Sequence, residues 1–393
     1  MRATRIVLLA VIAGVLGGSQ MFNYWKQKVR PAAVGAVSGT GALAAASAEV
    51  KNEQSLTDYI KQQLQTHTDR VSVAMLGSDH SEEALKRALA AATATDDYIA
   101  YIIDSYYYTI RETSIRTDVD LSIRYRESAE QTAEVNAITD RALRNIIQDG
   151  MNDHEKVKAI HDWVVDRVEY DQSLQKYTAY EALTTGRAVC QGYALLMYNM
   201  LTKAGLDNII AAGTVNTGEH AWNMVKLDGQ WYHLDATWDD AAVASTAGVD
   251  AAQGAILRSQ YRYYLLTDEQ LRADHQWTKS YPKAATVYAD ALRSKMQTAP
   301  KDAQRLAKLE SAIGLDWLKP ERTASSVTSL ANKLADMSAR GKRELQVRYT
   351  RGDSWNEDIR AAVRQAGIRD GYQVRSTPYG TDGSVLLEVK LTT

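Results

Sequence analysis

Cys190 is the one cysteine among 393 residues. A single cysteine excludes an internal disulfide, a CxxC redox pair and a cysteine-rich zinc site. What remains is a free thiol, and its placement suggests a use. A helical run extends from Gln191 to Ala204 and stops before Gly205, as a glycine C-cap requires. Cys190 therefore stands at a helix N-terminus, where backbone N–H groups and the helix dipole favour an anion. That position suits a thiolate nucleophile. Gly192 and Ala194 keep the first turn slim, which leaves room for a second chain beside the sulfur. Position alone leaves a plainer alternative open, a small buried cysteine that packs like alanine.

A nucleophile of this kind needs a base and a group that orients the base. Glu219–Leu227 and Gln230–Trp238 read as strands joined at Asp228-Gly229, a two-residue hairpin signal. Such a loop sets Trp222 opposite Asp235 and His220 opposite Thr237. Because side chains alternate, one face carries His220, Trp222, Met224, Lys226, Trp231, His233, Asp235 and Thr237. His220 and Asp235 are diagonal neighbours there, within reach of each other. Asp235 would hold the imidazole tautomer while His220 takes the thiol proton. His233 shares the face, which admits a rival: His220, His233 and Asp235 as a metal site with no need of Cys190. His161 lies on an amphipathic helix and reads as packing or a hydrogen bond, not catalysis.

The elements around these residues follow from periodicity. A helix over 153–168 turns Val157, Ile160, Trp163, Val164 and Val168 inward. Thr178-x-x-Glu181 is a capping box for a short helix that stops at Gly186. Upstream, 56–66 and 81–92 read as helices, with 71–75, 98–111 and 118–126 as strands and 132–148 as an amphipathic helix. The Tyr98–Tyr108 cluster reads as a strand with half-buried rings, with a glycan-binding surface as its alternative. Downstream, 325–338 and 354–366 read as helices, 344–349 as a strand, and 372–376 with 384–391 as a closing hairpin. Both ends thus carry helix–strand–helix–strand–strand, the order a duplicated module would leave. Residues 239–260 are Ala/Gly/Ser-rich and read as a lid beside Asp235 or a tolerated insertion.

The centre resembles the transglutaminase-like superfamily of papain-like thiol enzymes. The resemblance rests on Tyr180-Glu181-Ala182-Leu183, Gly186, Val189-Cys190-Gln191-Gly192-Tyr193-Ala194, His220-Ala221-Trp222-Asn223 and Trp231-Tyr232-His233-Leu234-Asp235-Ala236-Thr237-Trp238. Tyr261–Leu266, Thr267-Asp268 and His275-x-Trp277 also resemble the tail of exported bacterial members. The resemblance implies an α+β fold, in which a helix carrying the Cys packs on an antiparallel sheet carrying the His and Asp, flanked by small α/β modules. It implies Cys190 as nucleophile, His220 as general base and acid, and Asp235 as orienter. Gln191, Gly192, Tyr193, Trp222 and Trp238 would meet the substrate, and no metal or cofactor is called for. The oxyanion hole would use the Cys190 N–H and a second donor. Relatives often take that donor from a side chain upstream of the Cys, and no residue here matches one. The expected reaction is attack on an amide through a thioester, with peptide or protein hydrolysis preferred to crosslinking by an amine. A binding or scaffolding protein that keeps the fold without catalysis is the alternative from another class.

Arg2 and Arg5 precede an apolar run from Ile6 to Gly18, uncharged as far as Trp25. About 20 such residues cross a bilayer as a helix, and the shorter apolar core equally fits a cleaved signal. The sequence thus reads as a signal peptide or membrane anchor (1–25), a flexible linker (26–52), an N-terminal α/β module (53–130), a catalytic domain (131–290) and a C-terminal α/β module (291–393). The expected location is outside the cytoplasm, secreted or held at the membrane, with a substrate at the cell surface or wall. With 46 basic and 48 acidic residues, the chain has no global field to recruit nucleic acid. The aromatic set is 22 Tyr, 8 Trp and 1 Phe. Tyrosine keeps a hydroxyl at the edge of a core, so much of this aromatic surface is expected to be half-wet.

Overall fold

A computed structural model describes residues 6–11, 48–76, 81–113, 115–240, 261–380 and 382–392. The N-terminal part comprises β1 (Ile6–Val11), β2 (Ala48–Val50), α1 (Glu53–Gln65), β3 (Arg70–Leu76), α2 (Glu82–Thr93), α3 (Asp97–Ile102), β4 (Ile103–Glu112) and β5 (Arg116–Tyr125). Its sheet has the order β1-β4-β5-β3-β2. Along β5, Val119, Leu121 and Ile123 turn inward while their neighbours stay at least partly exposed, the alternation of a sheet with one buried face.

One expectation fails here. The 98–111 run is not one strand. The Asp96 carboxylate accepts from the Tyr98 and Ile99 N–H groups and so caps α3. Residues 98–102 are all buried, which a strand with a single buried face does not allow. At the N-terminus, Ile6–Val11 forms a strand paired antiparallel with β4. An aliphatic segment that adds to an open sheet edge satisfies that edge's backbone groups. The rest of the export segment, most of the linker and residues 241–260 lie outside the described residues. No described helix is long and apolar enough to cross a membrane.

The centre comprises α4 (Ala129–Ile146), α5 (Asp153–Arg167), β6 (Glu169–Tyr170), α6 (Ala179–Thr185), β7 (Arg187–Ala188), α7 (Cys190–Lys203), β8 (Asn208–Val215), β9 (Gly218–Leu227), β10 (Gln230–Leu234) and β11 (Tyr264–Leu266). The four last strands form an antiparallel sheet of order β11-β10-β9-β8. The helix carrying Cys190 packs on β8 and β9, so the papain-like α+β arrangement holds. Beyond the sheet come α8 (Asp268–Leu271), α9 (Tyr288–Thr298) and α10 (Ala303–Ala312). One hydrophobic cluster reaches from Val50 to Ile313 and joins the N-terminal part to the centre.

The chain closes with β12 (Thr323–Ala324), α11 (Val327–Ala339), β13 (Glu344–Tyr349), α12 (Trp355–Gln365), β14 (Gly371–Tyr379) and β15 (Ser384–Thr392), around a cluster of their own. Their sheet order, β12-β13-β15-β14, repeats β2-β3-β5-β4, with the same parallel and antiparallel pairings. The parallel registers Ala48–Val73 and Thr323–Arg348 have equal spacing. Both first helices open on a capping box that ends in a serine, Ser55 in one and Ser329 in the other. The six residues of α3 form the one helix between α2 and β4, and no described helix stands between α12 and β14.

Candidate active site

The Cys190 helix begins abruptly. Its N-cap is Val189, whose side chain makes no cap hydrogen bond, so no cap side chain occupies the N–H groups of the first turn. The site side of the helix is set by Asn223 on β9, which donates from Nδ2 to the Ala194 carbonyl at 3.0 Å. Gly192 faces its own chain: a Cβ there would lie 2.5 Å from the Ala188 Cβ and 3.0 Å from the Thr178 carbonyl oxygen. The missing side chain lets α7 pack against α6 and β7, and it does not make room for a substrate.

His220 lies on β9, and its Nε2 meets the Asp235 Oδ2 at 2.7 Å. With Nε2 so committed, Nδ1 is the nitrogen that remains, and Cys190 acts on this imidazole to raise its pKa. The three residues are thus brought together, all buried. The hairpin register is the one expected from the Asp228-Gly229 loop, with Leu234 opposite Asn223. Asp235, however, stands one residue past the end of β10. Its Oδ1 accepts from the Thr237 and Trp238 N–H groups at 3.0 and 3.2 Å, which turns the chain and ends the strand.

A fourth residue, absent from the expected set, completes the group. His275 Nε2 lies 3.1 Å from the same Asp235 Oδ2, and its Nδ1 lies 2.6 Å from Asp274 Oδ1. The backbone delivers His275 through a bridge in which Thr214 and Gln276 exchange N–H···O bonds of 2.8 and 2.9 Å. Gly213 permits that approach, since a Cβ there would lie 2.0 Å from the Gln276 carbonyl oxygen. The sequence signal for this residue was the His275-x-Trp277 pair, which pointed to a family tail without giving it a task.

The electrostatics follow from burial and charge. Burial alone would lower the His220 pKa, but the Asp235 carboxylate, followed by the Cys190 side chain, raises it to about 10. Burial opposes ionisation of Asp235, yet His220 and then His275 hold its carboxyl well below the usual carboxylate range. His275 is raised too, with Asp235 and Asp274 outweighing its burial. A buried carboxylate with four donors and an imidazole on each side forms a rigid, charge-compensated unit.

The rival metal reading does not survive as drawn. His233 Nδ1 accepts from Trp222 Nε1 at 2.9 Å, and its Nε2 meets Asp268 Oδ1 at 2.9 Å. Both of its ring nitrogens are engaged away from Asp235. The ligand-bearing atoms of His220, Asp235 and His275 do lie within 4.8 Å of one another, but two of the contacts are ordinary hydrogen bonds.

The five expected substrate contacts divide. Gln191 donates from Nε2 to the Tyr101 carbonyl at 2.7 Å. The Tyr193 hydroxyl lies between the Val168 carbonyl and Asp240 Oδ2, at 2.7 and 2.6 Å. The Trp222 ring stacks on His220 with centroids 5.9 Å apart and is buried. Gln191, Gly192 and Tyr193 are turned into the chain by the packing around α7, while Trp222 is held in a separate cluster with Ala211, Met224, Tyr263 and Leu266. Trp238 is half-buried, with its ring centroid 5.8 Å from that of His220, so it alone of the five keeps an open side beside the catalytic group. His161 is a hydrogen-bonding residue: its Nε2 lies 3.1 Å from Asp239 Oδ2 and ties the chain after Asp235 to α5.

Residues 140–236 match the family model of the transglutaminase-like superfamily. The centre of this chain belongs to that superfamily. The matched residues include Cys190, His220 and Asp235, while His275 falls beyond them. The chain is similar to the kyphoscoliosis peptidase of Mus musculus, 27% identical over 164 residues, which is 36% of this chain and 25% of the relative. It is similar to that of Homo sapiens at 30% over 122 residues, 26% of this chain and 18% of the relative. The chain thus spans a quarter or less of the curated relatives it matches. Among solved structures, one described as a TGase covers 49% of this chain and 59% of its own at 12% identity, with a TM-score of 0.26. The periplasmic domain of TgpA from Pseudomonas aeruginosa, bound to ethylmercury, covers 35% and 73% at 15% identity, with a TM-score of 0.22.

Proposed function

We propose that this protein is a thiol-dependent enzyme that attacks amide bonds of a peptide or protein through a thioester. The observation that carries the proposal is the 2.7 Å contact between His220 and Asp235, on an imidazole whose pKa Cys190 also raises. Cys190 attacks the carbonyl, His220 moves the proton from thiol to leaving amine, and Asp235 holds the tautomer and balances the imidazolium. Hydrolysis is preferred to crosslinking because the curated relatives are named as peptidases. Export belongs to the same proposal and rests on Arg2, Arg5 and the apolar run that follows them. A non-catalytic scaffold is disfavoured by the buried, compensated charges, which cost desolvation wherever they serve no reaction.

Iodoacetamide labelling of Cys190 in the intact protein and in His220→Ala tests the thiol. Fast labelling near neutral pH that drops in the variant is expected, and labelling no faster than a free thiol in both would overturn the reading. Release of peptides from casein, against incorporation of monodansylcadaverine, separates hydrolysis from crosslinking. Recovery in the cytoplasmic fraction with an intact N-terminus would end the export proposal.

A further inference from the structure

Each ring nitrogen of His275 faces a carboxylate. Nε2 is 3.1 Å from Asp235 Oδ2, and Nδ1 is 2.6 Å from Asp274 Oδ1. A carboxylate only accepts, so both nitrogens donate and the ring is an imidazolium. Burial lowers the His275 pKa, but Asp235 and then Asp274 raise it above its ordinary value. The second carboxylate is itself held. Its Oδ2 accepts from the Tyr263 hydroxyl at 2.6 Å. Tyr263 is buried, with its ring edge-on to Trp238 at 5.0 Å and 5.6 Å from the His275 ring.

Tyr263 also returns to Asp235. Its carbonyl accepts from the Asp235 N–H at 3.1 Å, and its own N–H donates to Asp239 Oδ1 at 2.7 Å. These contacts close a ring. The Asp235 N–H meets the Tyr263 carbonyl, the Tyr263 hydroxyl meets Asp274, Asp274 meets His275, and His275 meets the Asp235 carboxylate. Asp235 follows the last residue of β10, and Tyr263 precedes the first of β11. The ring thus begins where the ladder between those strands ends, and it holds both the backbone and the side chain of Asp235. Linked hydrogen bonds of this kind polarise and fix one another. Asp274 keeps 30% of its side chain exposed. An ion pair open to solvent on one side adds little to stability, so orientation is what this carboxylate supplies.

We propose that Asp274 is a positioning residue: fixed by the Tyr263 hydroxyl, it holds the His275 ring against Asp235 and so sets the carboxylate that orients His220. This rests on the thiol acyl-transfer reading above. Asp274 acts only through His275, and Tyr263 acts through Asp274. Neither touches the reacting atoms.

The test uses the full chain with Asp274→Asn, which keeps the shape and removes the charge, and Tyr263→Phe, which removes only the hydroxyl. One readout is the proton NMR titration of the His275 ring, assigned by its loss in His275→Phe. The other is the pH profile of Cys190 alkylation by iodoacetamide. The expected result is a lower His275 midpoint in Asp274→Asn, with alkylation near neutral pH slowed roughly three- to tenfold in both variants. On the His275→Phe background, Asp274→Asn should change the rate by less than about twofold, because the path through His275 is already cut. Tyr261→Phe is the control, since that hydroxyl lies on Asp162 at 2.7 Å, outside the ring; it should leave both readouts as they are. An unmoved His275 midpoint or an unchanged alkylation profile overturns the proposal. So does a loss that repeats in full on His275→Phe, or an equal loss in Tyr261→Phe, since either would make the effect one of the fold. If the His275 midpoint falls as expected but wild-type Cys190 alkylates no faster than a free thiol, the acyl-transfer reading fails, and this proposal falls through Cys190 rather than through Asp274.

Discussion

His275 and Asp235 meet at 3.1 Å, on the same carboxylate oxygen that holds His220 at 2.7 Å. The orienter is therefore itself oriented. A hydrogen bond to a charged group contributes ~1.5–3 kcal/mol, and each ~1.4 kcal/mol is tenfold in rate. His275→Phe should lower kcat/KM roughly ten- to a hundredfold and shift the pH profile of Cys190 alkylation. An unchanged profile with intact kcat/KM would make His275 a packing residue only.

The raised pKa of His220 makes stability depend on pH. The sign follows from linkage: a group with its folded pKa above the unfolded value stabilises fully below the unfolded value and stops as pH rises through the folded one. For His220 that window runs from its ordinary 6.5 to about 10. The stability advantage of the wild-type protein over His220→Ala should be constant below pH ~6 and shrink steadily up to pH ~10. Urea unfolding across that range checks this, and a gap that widens with pH would contradict it.

Gly213 is the hinge of the delivery of His275. Gly213→Ala places a Cβ against the Gln276 carbonyl and the Trp222 ring. Overpacking of this kind costs ~1–3 kcal/mol, and the displaced bridge carries His275 away from Asp235. The expected outcome is a lowered urea midpoint together with reduced activity. Gly205→Ala is the comparison, because nothing lies within 4 Å of its Cβ position; its positive φ confines the cost to backbone strain.

The cluster of His220, Asp235 and His275 has the residue types of a metal site. Its hydrogen bonds leave activity independent of an ion, so EDTA treatment should leave the release of peptides from casein unchanged. Loss of activity on chelation, restored by zinc, would replace the thiol mechanism.

The hairpin turn at Asp228-Gly229 and the period of two were enough to bring His220 to Asp235, because register in a two-residue hairpin is a local property. The Cys190 helix was legible from its helical run and C-terminal glycine for the same reason. What escaped was non-local. His275 is delivered to Asp235 by the Thr214–Gln276 bridge, and Gln191 turns away to the Tyr101 carbonyl. Neither contact leaves a periodic mark. The Tyr98–Arg111 run misled because a capped, fully buried helix and a β-rich strand share their residue types. Gln191, Gly192 and Tyr193 were expected at a substrate, but the packing of α7 claims them first. The tyrosine excess gains a partial account: Tyr98, Tyr193 and Tyr263 are buried with their hydroxyls on carboxylates.

The hydrophobic clusters have a calorimetric consequence. One holds residues 50–313, a smaller one lies between Ala211 and Ala284, and the third is confined to 324–391. The first two share strands β8 and β9 while the third has a sheet of its own, and cores without shared elements melt as separate cooperative units, so a heating scan should resolve two endotherms. Every residue assigned to the reaction, from Cys190 to His275, lies in the stretch of the first two. Melting of the terminal unit alone would then leave the thiol as reactive as before.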